Sequence, residues 1–213
     1  MKTESTGPSA VIWDIDGTLL NTKGGIVAAY RHTLEKSGIP CPDDESLAGL
    51  IGPTPQDVFK SRFGASEEQA QLYAAEFREH YRTVQLGNAT PYPGIVNVLS
   101  AVERQNIIQF VVTNKRQDYA EEILDIFNLK NFFHAVYGTD ASSSRSKTQL
   151  LEVCIADNSI VSESAVFIGD TTGDMNAAVK NGLKFIGVNY GFGFSGVRGY
   201  AGSTADILRL LDL

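Results

Sequence analysis

Short apolar runs alternate with amphipathic helical patterns along most of this chain. The apolar runs predict strands at 10–15, 107–112, 134–137, 164–168 and 184–188. Helical spacing of apolar positions predicts helices near 94–104, 117–127, 147–156, 173–181 and 204–212. Because strands that alternate with helices are joined by right-handed crossovers, this pattern predicts an α/β fold with a parallel sheet between layers of helices.

One section interrupts this alternation, because it contains helical patterns and no convincing strand. It spans residues 21–88, and its helical patterns run over 26–36, 55–63 and 67–83. The section begins directly after the first predicted strand, so we expect it to lie over the carboxyl edge of the sheet. We predict a helical cap domain at 21–88, inserted into a core formed by 1–20 and 89–213. The chain would cross between the two near 19–23 and 86–93.

Polar residues follow three of the predicted strands. Asp14 and Asp16 end the first apolar run, Thr113 and Asn114 end the second, and Asp170 ends a later one. In open parallel sheets these carboxyl ends meet at the edge where ligands bind. Side chains two residues apart on a strand point the same way, so the first two acids lie side by side. Because like charges repel, the pair indicates a cation to hold or a proton to move.

Four segments in this order resemble the motifs of the haloacid dehalogenase superfamily of phosphatases. They are Asp14-Ile15-Asp16-Gly17-Thr18, Thr113, Lys147, and Gly169-Asp170 with Asp174. Within the superfamily, PYPGI, TNK and GVNYGFG at 91–95, 113–115 and 187–193 are similar to the phosphoglycolate-phosphatase-like branch. The resemblance implies a Rossmann-like three-layer core with a mobile helical cap. It also implies Mg²⁺-dependent hydrolysis of the phosphate monoester of a small metabolite.

The resemblance implies a separate role for each of the acids. It implies that Asp14 is the nucleophile, which forms an aspartyl-phosphate, and that Asp16 is the general acid and then the general base. It also implies that Mg²⁺ is held by Asp14, Asp170 and the backbone carbonyl of Asp16. Asp174 would bind the metal through water or anchor its loop, although an acid there also suits a helix N-terminus.

The remaining polar residues are assigned to the phosphoryl group by the same resemblance. Thr113 and the amide of Asn114 would donate hydrogen bonds to phosphoryl oxygens. Lys147 would neutralise the phosphate and orient the nucleophile near the start of a helix, whose amides also favour anions. Only the order of the motifs selects this lysine, and Arg145 and Lys115 are rival candidates.

Other functions with similar residues stay open at this point. A phosphomutase of the same fold uses the same two aspartates, and nucleotidase or pyrophosphatase specificity is a further alternative. A receiver-like phospho-acceptor signalling module combines an acceptor Asp, a Thr and a Lys, but lacks the cap and the second acid. Gly191–Gly196 matches G-x-G-x-x-G, yet it follows the last predicted strand, so we do not expect a dinucleotide site.

The charge and composition of the chain limit the kinds of molecule that we expect it to bind. The chain has 213 residues, with 25 acidic against 18 basic residues and a formal net charge of −7. An acidic balance argues against nucleic acid or an anionic membrane as partner. Two cysteines outside any C-x-x-C pair, and the lack of an apolar leader, predict a cytoplasmic protein. We expect a monomer or a homodimer.

Overall fold

Five parallel strands form the centre of the computed structural model, which describes residues 7–194 and 196–213. The strands of the chain are β1 (Ala10–Trp13), β2 (Leu20–Asn21), β3 (Thr90–Pro91), β4 (Ile108–Arg116), β5 (Ala135–Thr139), β6 (Ala165–Gly169) and β7 (Lys184–Gly187). The spatial order in the central sheet is β5-β4-β1-β6-β7, and every neighbouring pair is parallel. The predicted α/β fold with a parallel sheet is therefore confirmed.

Helices follow these strands and also fill the long insertion, residues 22–89, which lies between β2 and β3. They are α1 (Lys23–Lys36), α2 (Asp44–Ala48), α3 (Pro55–Phe63), α4 (Glu67–His80), α5 (Ile95–Arg104), α6 (Gln117–Ile126), α7 (Lys147–Asp157), α8 (Thr172–Lys180) and α9 (Thr204–Leu210). A π-helical turn (Tyr81–Gln85) and two 3₁₀ turns (Lys130–Phe132 and Ser162–Ser164) complete the set. None of the described helices has the length and apolarity needed to cross a bilayer.

The central strand β1 shows why a layer of helices covers each face of the sheet. All four of its residues are buried, as expected for a parallel strand covered on both faces. Val11 and Trp13 belong to the larger apolar cluster, which includes residues of α5 and α6. Ala10 and Ile12 belong to a second cluster with residues of α7 and α8. The sheet therefore separates two cores, and alternate side chains of one strand enter each.

Aromatic side chains pack together inside the insertion, as part of the larger apolar cluster. The ring of Tyr30 on α1 lies 5.8 Å from that of Phe59 on α3 and 4.5 Å from that of Phe77 on α4.

Helix α2 was not predicted, because it has five residues and one buried side chain, Leu47, so it shows no periodicity. Its first turn is fixed by Asp43, which accepts a hydrogen bond from the Ser46 amide.

A two-stranded antiparallel ribbon also lies outside the prediction. Strands β2 and β3 pair Leu20 with Pro91 and Asn21 with Thr90. Two-residue strands give no alternating pattern in the sequence, which explains why the ribbon was missed. The ribbon occupies the two places where the chain was expected to enter and leave the insertion. The division into a core of 1–20 and 89–213 and a cap of 21–88 stays a prediction.

Candidate active site

Side chains from three neighbouring strands and two helices converge at the carboxyl edge of the sheet. Asp14 follows β1, Asp170 follows β6, and Thr113 lies in β4 beside an irregularity in its pairing with β5. Lys147 is the first residue of α7, and Asp174 lies in the first turn of α8. All five are buried in the structure. The fold therefore brings together four residues that the sequence had placed at one site, the three aspartates and Lys147, and it places Thr113 on the neighbouring strand β4.

Lys147 connects two of the buried acids. Its Nζ lies 3.0 Å from Asp14 Oδ1 and 2.5 Å from Asp174 Oδ1. Burial alone would lower the pKa of this lysine, but the charges of the two aspartates outweigh burial and raise it. Lys147 is therefore held in its charged form. Of the two rival candidates, Lys115 pairs with another acid and Arg145 is exposed.

Burial raises the pKa of Asp14 from 3.8 to about 7 in the metal-free chain. Lys147 opposes this rise, whereas the neighbouring acids Asp174 and Asp16 add to it. The pKa of Asp170 is raised well above 3.8 for the same first reason, burial, and then by the charges of Asp14 and Asp174. One lysine therefore does not balance the negative charge that this site would carry at neutral pH.

A divalent cation fits this excess of buried acid. Carboxylate oxygens of Asp14, Asp170 and Asp174 all lie within 4.8 Å of one another. Among the described residues, buried Asp170 Oδ1 has no hydrogen-bond partner, a state that costs about 1–3 kcal/mol without a compensating ligand. The donor set is all oxygen, as hard cations prefer.

Asp174 also organises its own helix. Its Oδ2 accepts hydrogen bonds from the amide of Thr171 at 2.9 Å and from the hydroxyl of the same threonine at 2.6 Å. The Thr171 side chain in turn accepts from the Asp174 amide, which completes a capping box at the start of α8. Asp174 therefore both anchors the start of α8 and belongs to the acid cluster.

Asp16 lies apart from the three-acid cluster. Its Oδ1 accepts a hydrogen bond from the Thr22 hydroxyl at 2.8 Å and lies 3.1 Å from Lys115 Nζ. Lys115 also donates to the Tyr81 hydroxyl at 2.9 Å and lies 4.4 Å from the centre of that ring. The side chain of Asp16 is thus not one of the three clustered acids. The expected metal contact through its backbone carbonyl stays a prediction.

Thr113 and Asn114 directly precede Lys115 on strand β4. The Thr113 hydroxyl accepts a hydrogen bond from the amide of Lys115 at 3.3 Å. The side chain of Asn114 donates to the carbonyl of Gly52 in the insertion at 2.9 Å. This contact links the sheet edge to the segment Gly52-Pro53-Thr54, which lines a cleft of about 780 Å³ together with Lys147. Binding of phosphoryl oxygens by Thr113 and Asn114 stays a prediction.

The glycine-rich segment after β7 packs against the acids. The amide of Phe192 donates to Asp170 Oδ2 at 2.7 Å. A Cβ added to Gly191 would lie 2.4 Å from both Asp170 Cβ and the Gly17 carbonyl oxygen. The absence of a side chain at Gly191 therefore allows the loop to approach Asp170 and fix one of its oxygens. Gly193 of the same segment also lies against Asp170, since a Cβ added there would be 2.6 Å from the Asp170 carbonyl oxygen.

Replacing Gly191 with alanine is expected to displace Asp170. The clash should lower the free energy of unfolding by about 1–3 kcal/mol, and an ångström of displacement should lower kcat/KM about 100-fold. Urea unfolding and phosphate release measure the two effects. Gly87→Ala is the matched control, because an added Cβ there meets nothing within 4 Å. A Gly191→Ala variant as stable and active as the control would refute this role of the loop.

Sequence reasoning missed Lys115 and Thr22 as partners of Asp16. Lys115 was considered only as a rival to Lys147, although it lies two residues after Thr113 on β4. That spacing was the available signal. No signal marked Thr22, because its contact depends on the turn that follows β1.

Comparison with known proteins agrees with this geometry. The sequence model of the haloacid dehalogenase-like hydrolase family matches residues 11–188. A 5'-nucleotidase of Pseudomonas aeruginosa is 31% identical over 86% of this chain and 83% of its own length. A phosphoglycolate phosphatase of Agrobacterium fabrum is 29% identical over 85% and 80%. The crystal structure of a predicted phosphatase from Clostridium acetobutylicum superposes with a TM-score of 0.92 and 27% identity, over 98% of this chain and 100% of that one.

Proposed function

The chain belongs to the haloacid dehalogenase-like hydrolase family and is a phosphoric monoester hydrolase, and we propose that it acts on a small metabolite with Mg²⁺ through an aspartyl-phosphate on Asp14. The observation that carries this proposal is the cluster of three buried aspartates around Lys147. A buried nucleophile beside a fixed cation, with further acids able to hold a metal, is the arrangement that phosphoryl transfer needs.

Each residue then has a defined part in two successive displacements. A carboxylate oxygen of Asp14 attacks phosphorus, the bond to the leaving oxygen breaks, and Asp16 gives its proton to that oxygen. Water then attacks phosphorus of the aspartyl-phosphate while Asp16 takes up a proton, and Asp14 is released with inorganic phosphate. Lys147 and the hydroxyl of Thr113 would bind phosphoryl oxygens during both steps. Asp14 and Asp170, with the backbone carbonyl of Asp16, would hold Mg²⁺, Asp174 would support it through water, and the metal would neutralise charge on the transferring group.

Mg²⁺ dependence tests the metal part of the proposal. Release of phosphate from p-nitrophenyl phosphate is expected to stop in EDTA and to return when Mg²⁺ is added. Ca²⁺ is expected to inhibit, because its longer bonds and higher coordination number place the nucleophile differently. Full activity in EDTA after prolonged dialysis would count decisively against the metal.

Thermal unfolding gives a readout that does not depend on activity. A ligand at about 100 times its dissociation constant stabilises a protein by about 2.7 kcal/mol, which for this size is a rise in Tm of about 5–10 °C. We expect Mg²⁺ to raise the Tm of the wild type by this amount and that of Asp170→Asn hardly at all. Asp212→Asn, at an exposed position, should keep the whole shift. An equal shift in the Asp170 variant would exclude Asp170 as a ligand.

The 5'-nucleotidase relative supports a second candidate substrate class. That relative is 31% identical, so nucleoside monophosphates belong in the panel of substrates. A phosphomutase would differ in another way, because it needs a bisphosphate activator and returns the phosphoryl group to a sugar. Phosphate release without an activator separates hydrolysis from that alternative, and the order of kcat/KM values across the panel separates the two substrate classes.

A further inference from the structure

Lys115 is a buried cation that contacts both the edge of the sheet and the insertion. It lies near the end of β4, and its side chain is 6% exposed. Within the described part of the chain, Asp16 is the only carboxylate within 4.0 Å of its Nζ. The hydroxyl of Tyr81, which belongs to the insertion, also accepts a hydrogen bond from it. Both contacts keep the lysine in place, because losing either one would leave a buried polar group without its partner.

The Tyr81 side chain is itself fixed by packing. It is 3% exposed, its ring lies parallel to that of Phe77 at 6.0 Å, and Nζ of Lys115 lies 4.4 Å from its centre. Phe77 in turn packs against Tyr30 on α1. Tyr81 also begins the π-helical turn that follows α4, and single π-helical turns are often found at functional sites. The helices of the insertion therefore determine where this hydroxyl lies.

The end of β4 contacts the insertion through two consecutive residues. Asn114 donates to the carbonyl of Gly52, and Lys115 donates to Tyr81. Consecutive side chains of a regular strand point to opposite faces of the sheet. The pairing of β4 with β5 shifts register in this part of the strand, and such irregularities redirect side chains beside active sites. The irregular strand explains how both side chains reach the insertion.

The two carboxylate oxygens of Asp16 have different surroundings. Oδ1 accepts a hydrogen bond from the Thr22 hydroxyl at 2.8 Å and lies 3.1 Å from Lys115 Nζ. Among residues 7–194 and 196–213, Oδ2 has no hydrogen-bond or ion-pair partner. Since both neighbours of Oδ1 are donors, a proton carried by Asp16 resides on Oδ2. The oxygen that can give a proton to a substrate is therefore the one that the chain leaves free.

We propose that Lys115 and Tyr81 are positioning residues, which hold Oδ1 of Asp16 so that Oδ2 is directed at the leaving oxygen of the substrate. The inference rests on the proposed role of Asp16 as the general acid. As Asp14 bonds to phosphorus and the bond to the leaving oxygen breaks, the proton passes from Oδ2 to that oxygen. The attacking water restores the proton in the second displacement. Because Tyr81 belongs to the insertion, Asp16 is held in this orientation only while the insertion contacts the sheet.

Two aryl phosphates of similar shape test the proposal. The phenolate released from phenyl phosphate is basic and leaves more readily with a proton, whereas p-nitrophenolate departs without one. We compare kcat/KM, since it covers the steps up to release of the phenol and excludes hydrolysis of the aspartyl-phosphate. Tyr81→Phe removes only the hydroxyl. It should lower kcat/KM about 10-fold for phenyl phosphate and less than about twofold for p-nitrophenyl phosphate.

Tyr137→Phe is the matched control. Tyr137 lies on the edge strand β5, and its hydroxyl accepts a hydrogen bond from Asn158 at 2.7 Å, so its loss should change neither kcat/KM value. Lys115→Met should show the same selectivity as Tyr81→Phe with a greater loss, about 100-fold for phenyl phosphate. Equal losses for the two esters in Tyr81→Phe, or no loss, would overturn the proposal, because the hydroxyl would then not act through the proton donor.

Asp16→Asn distinguishes failure of this inference from failure of the proposed function. It should show the same selective loss, and adding Tyr81→Phe to it should cause no further loss, since Tyr81 acts through Asp16. Equal losses for both esters in Asp16→Asn, or no phosphate release from either ester by the wild type with Mg²⁺, would contradict the proposed function. A selective loss in Asp16→Asn but not in Tyr81→Phe would overturn the inference alone.

Discussion

Replacing Asp14 with asparagine is expected to lower kcat by about 10⁴-fold or more, because the amide cannot attack phosphorus. The folded state should persist. Asp14 is 4% exposed, and burial already raises its pKa to about 7, so a neutral side chain of the same shape removes an unfavourable charge. Phosphate release measures the loss of rate, and thermal unfolding checks the fold.

The intermediate can be identified directly in the wild type. Borohydride reduces an aspartyl-phosphate to homoserine, so acid-quenched enzyme treated in this way should carry homoserine at position 14. Asp118→Asn serves as the control, because Asp118 pairs with Arg116 away from the acid cluster. An Asp14→Asn enzyme with wild-type turnover, or a homoserine at Asp16 alone, would exclude the mechanism proposed for Asp14.

Replacing Lys147 with methionine is expected to affect both stability and rate. Its Nζ contacts Asp14 at 3.0 Å and Asp174 at 2.5 Å, and the lysine is 7% exposed. Removing one partner from a buried ion pair costs about 3–5 kcal/mol, since the other charges stay buried without compensation. Urea unfolding without metal should show this loss. Saturating Mg²⁺ should reduce it, because a bound cation replaces part of the missing charge.

Lys180→Met is the matched control for this experiment. Lys180 is the last residue of α8, and its side chain is exposed, so the substitution should change the free energy of unfolding by less than about 0.5 kcal/mol. If Lys147→Met were as stable as Lys180→Met in the absence of metal, the three acids would not depend on Lys147. Its role would then be confined to contact with the phosphate.

The strand ends were the part of the site that the sequence predicted best. Asp14 and Asp170 could be placed because apolar runs of buried parallel strands stop where the polar residues begin. Because β1 and β6 are neighbouring parallel strands, they bring the two aspartates to one edge of the sheet irrespective of the conformation of the loops. Lys147 depended on the order of the family motifs, since a lysine at the start of a helix is ordinarily a surface residue.

Contacts that cross between the sheet and the insertion could not be predicted in this way. Arg78 lies on an amphipathic helix, where spacing indicates which face is buried but not what that face meets. Its partners Ala141 and Ser143 lie 63 and 65 residues further along the chain, in a loop without periodicity. The same limit applies to Lys115 and Tyr81, which meet across 34 residues.

The ribbon of β2 and β3 has a consequence for how this enzyme can change. Because Leu20 pairs with Pro91 and Asn21 with Thr90, the chain returns to the sheet at nearly the place where it left. The residues between the two strands form a long loop whose ends the ribbon already holds together, and lengthening such a loop costs little entropy. Selection can therefore exchange, extend or remodel residues 22–89 while the path of the chain that carries Asp14 is left undisturbed.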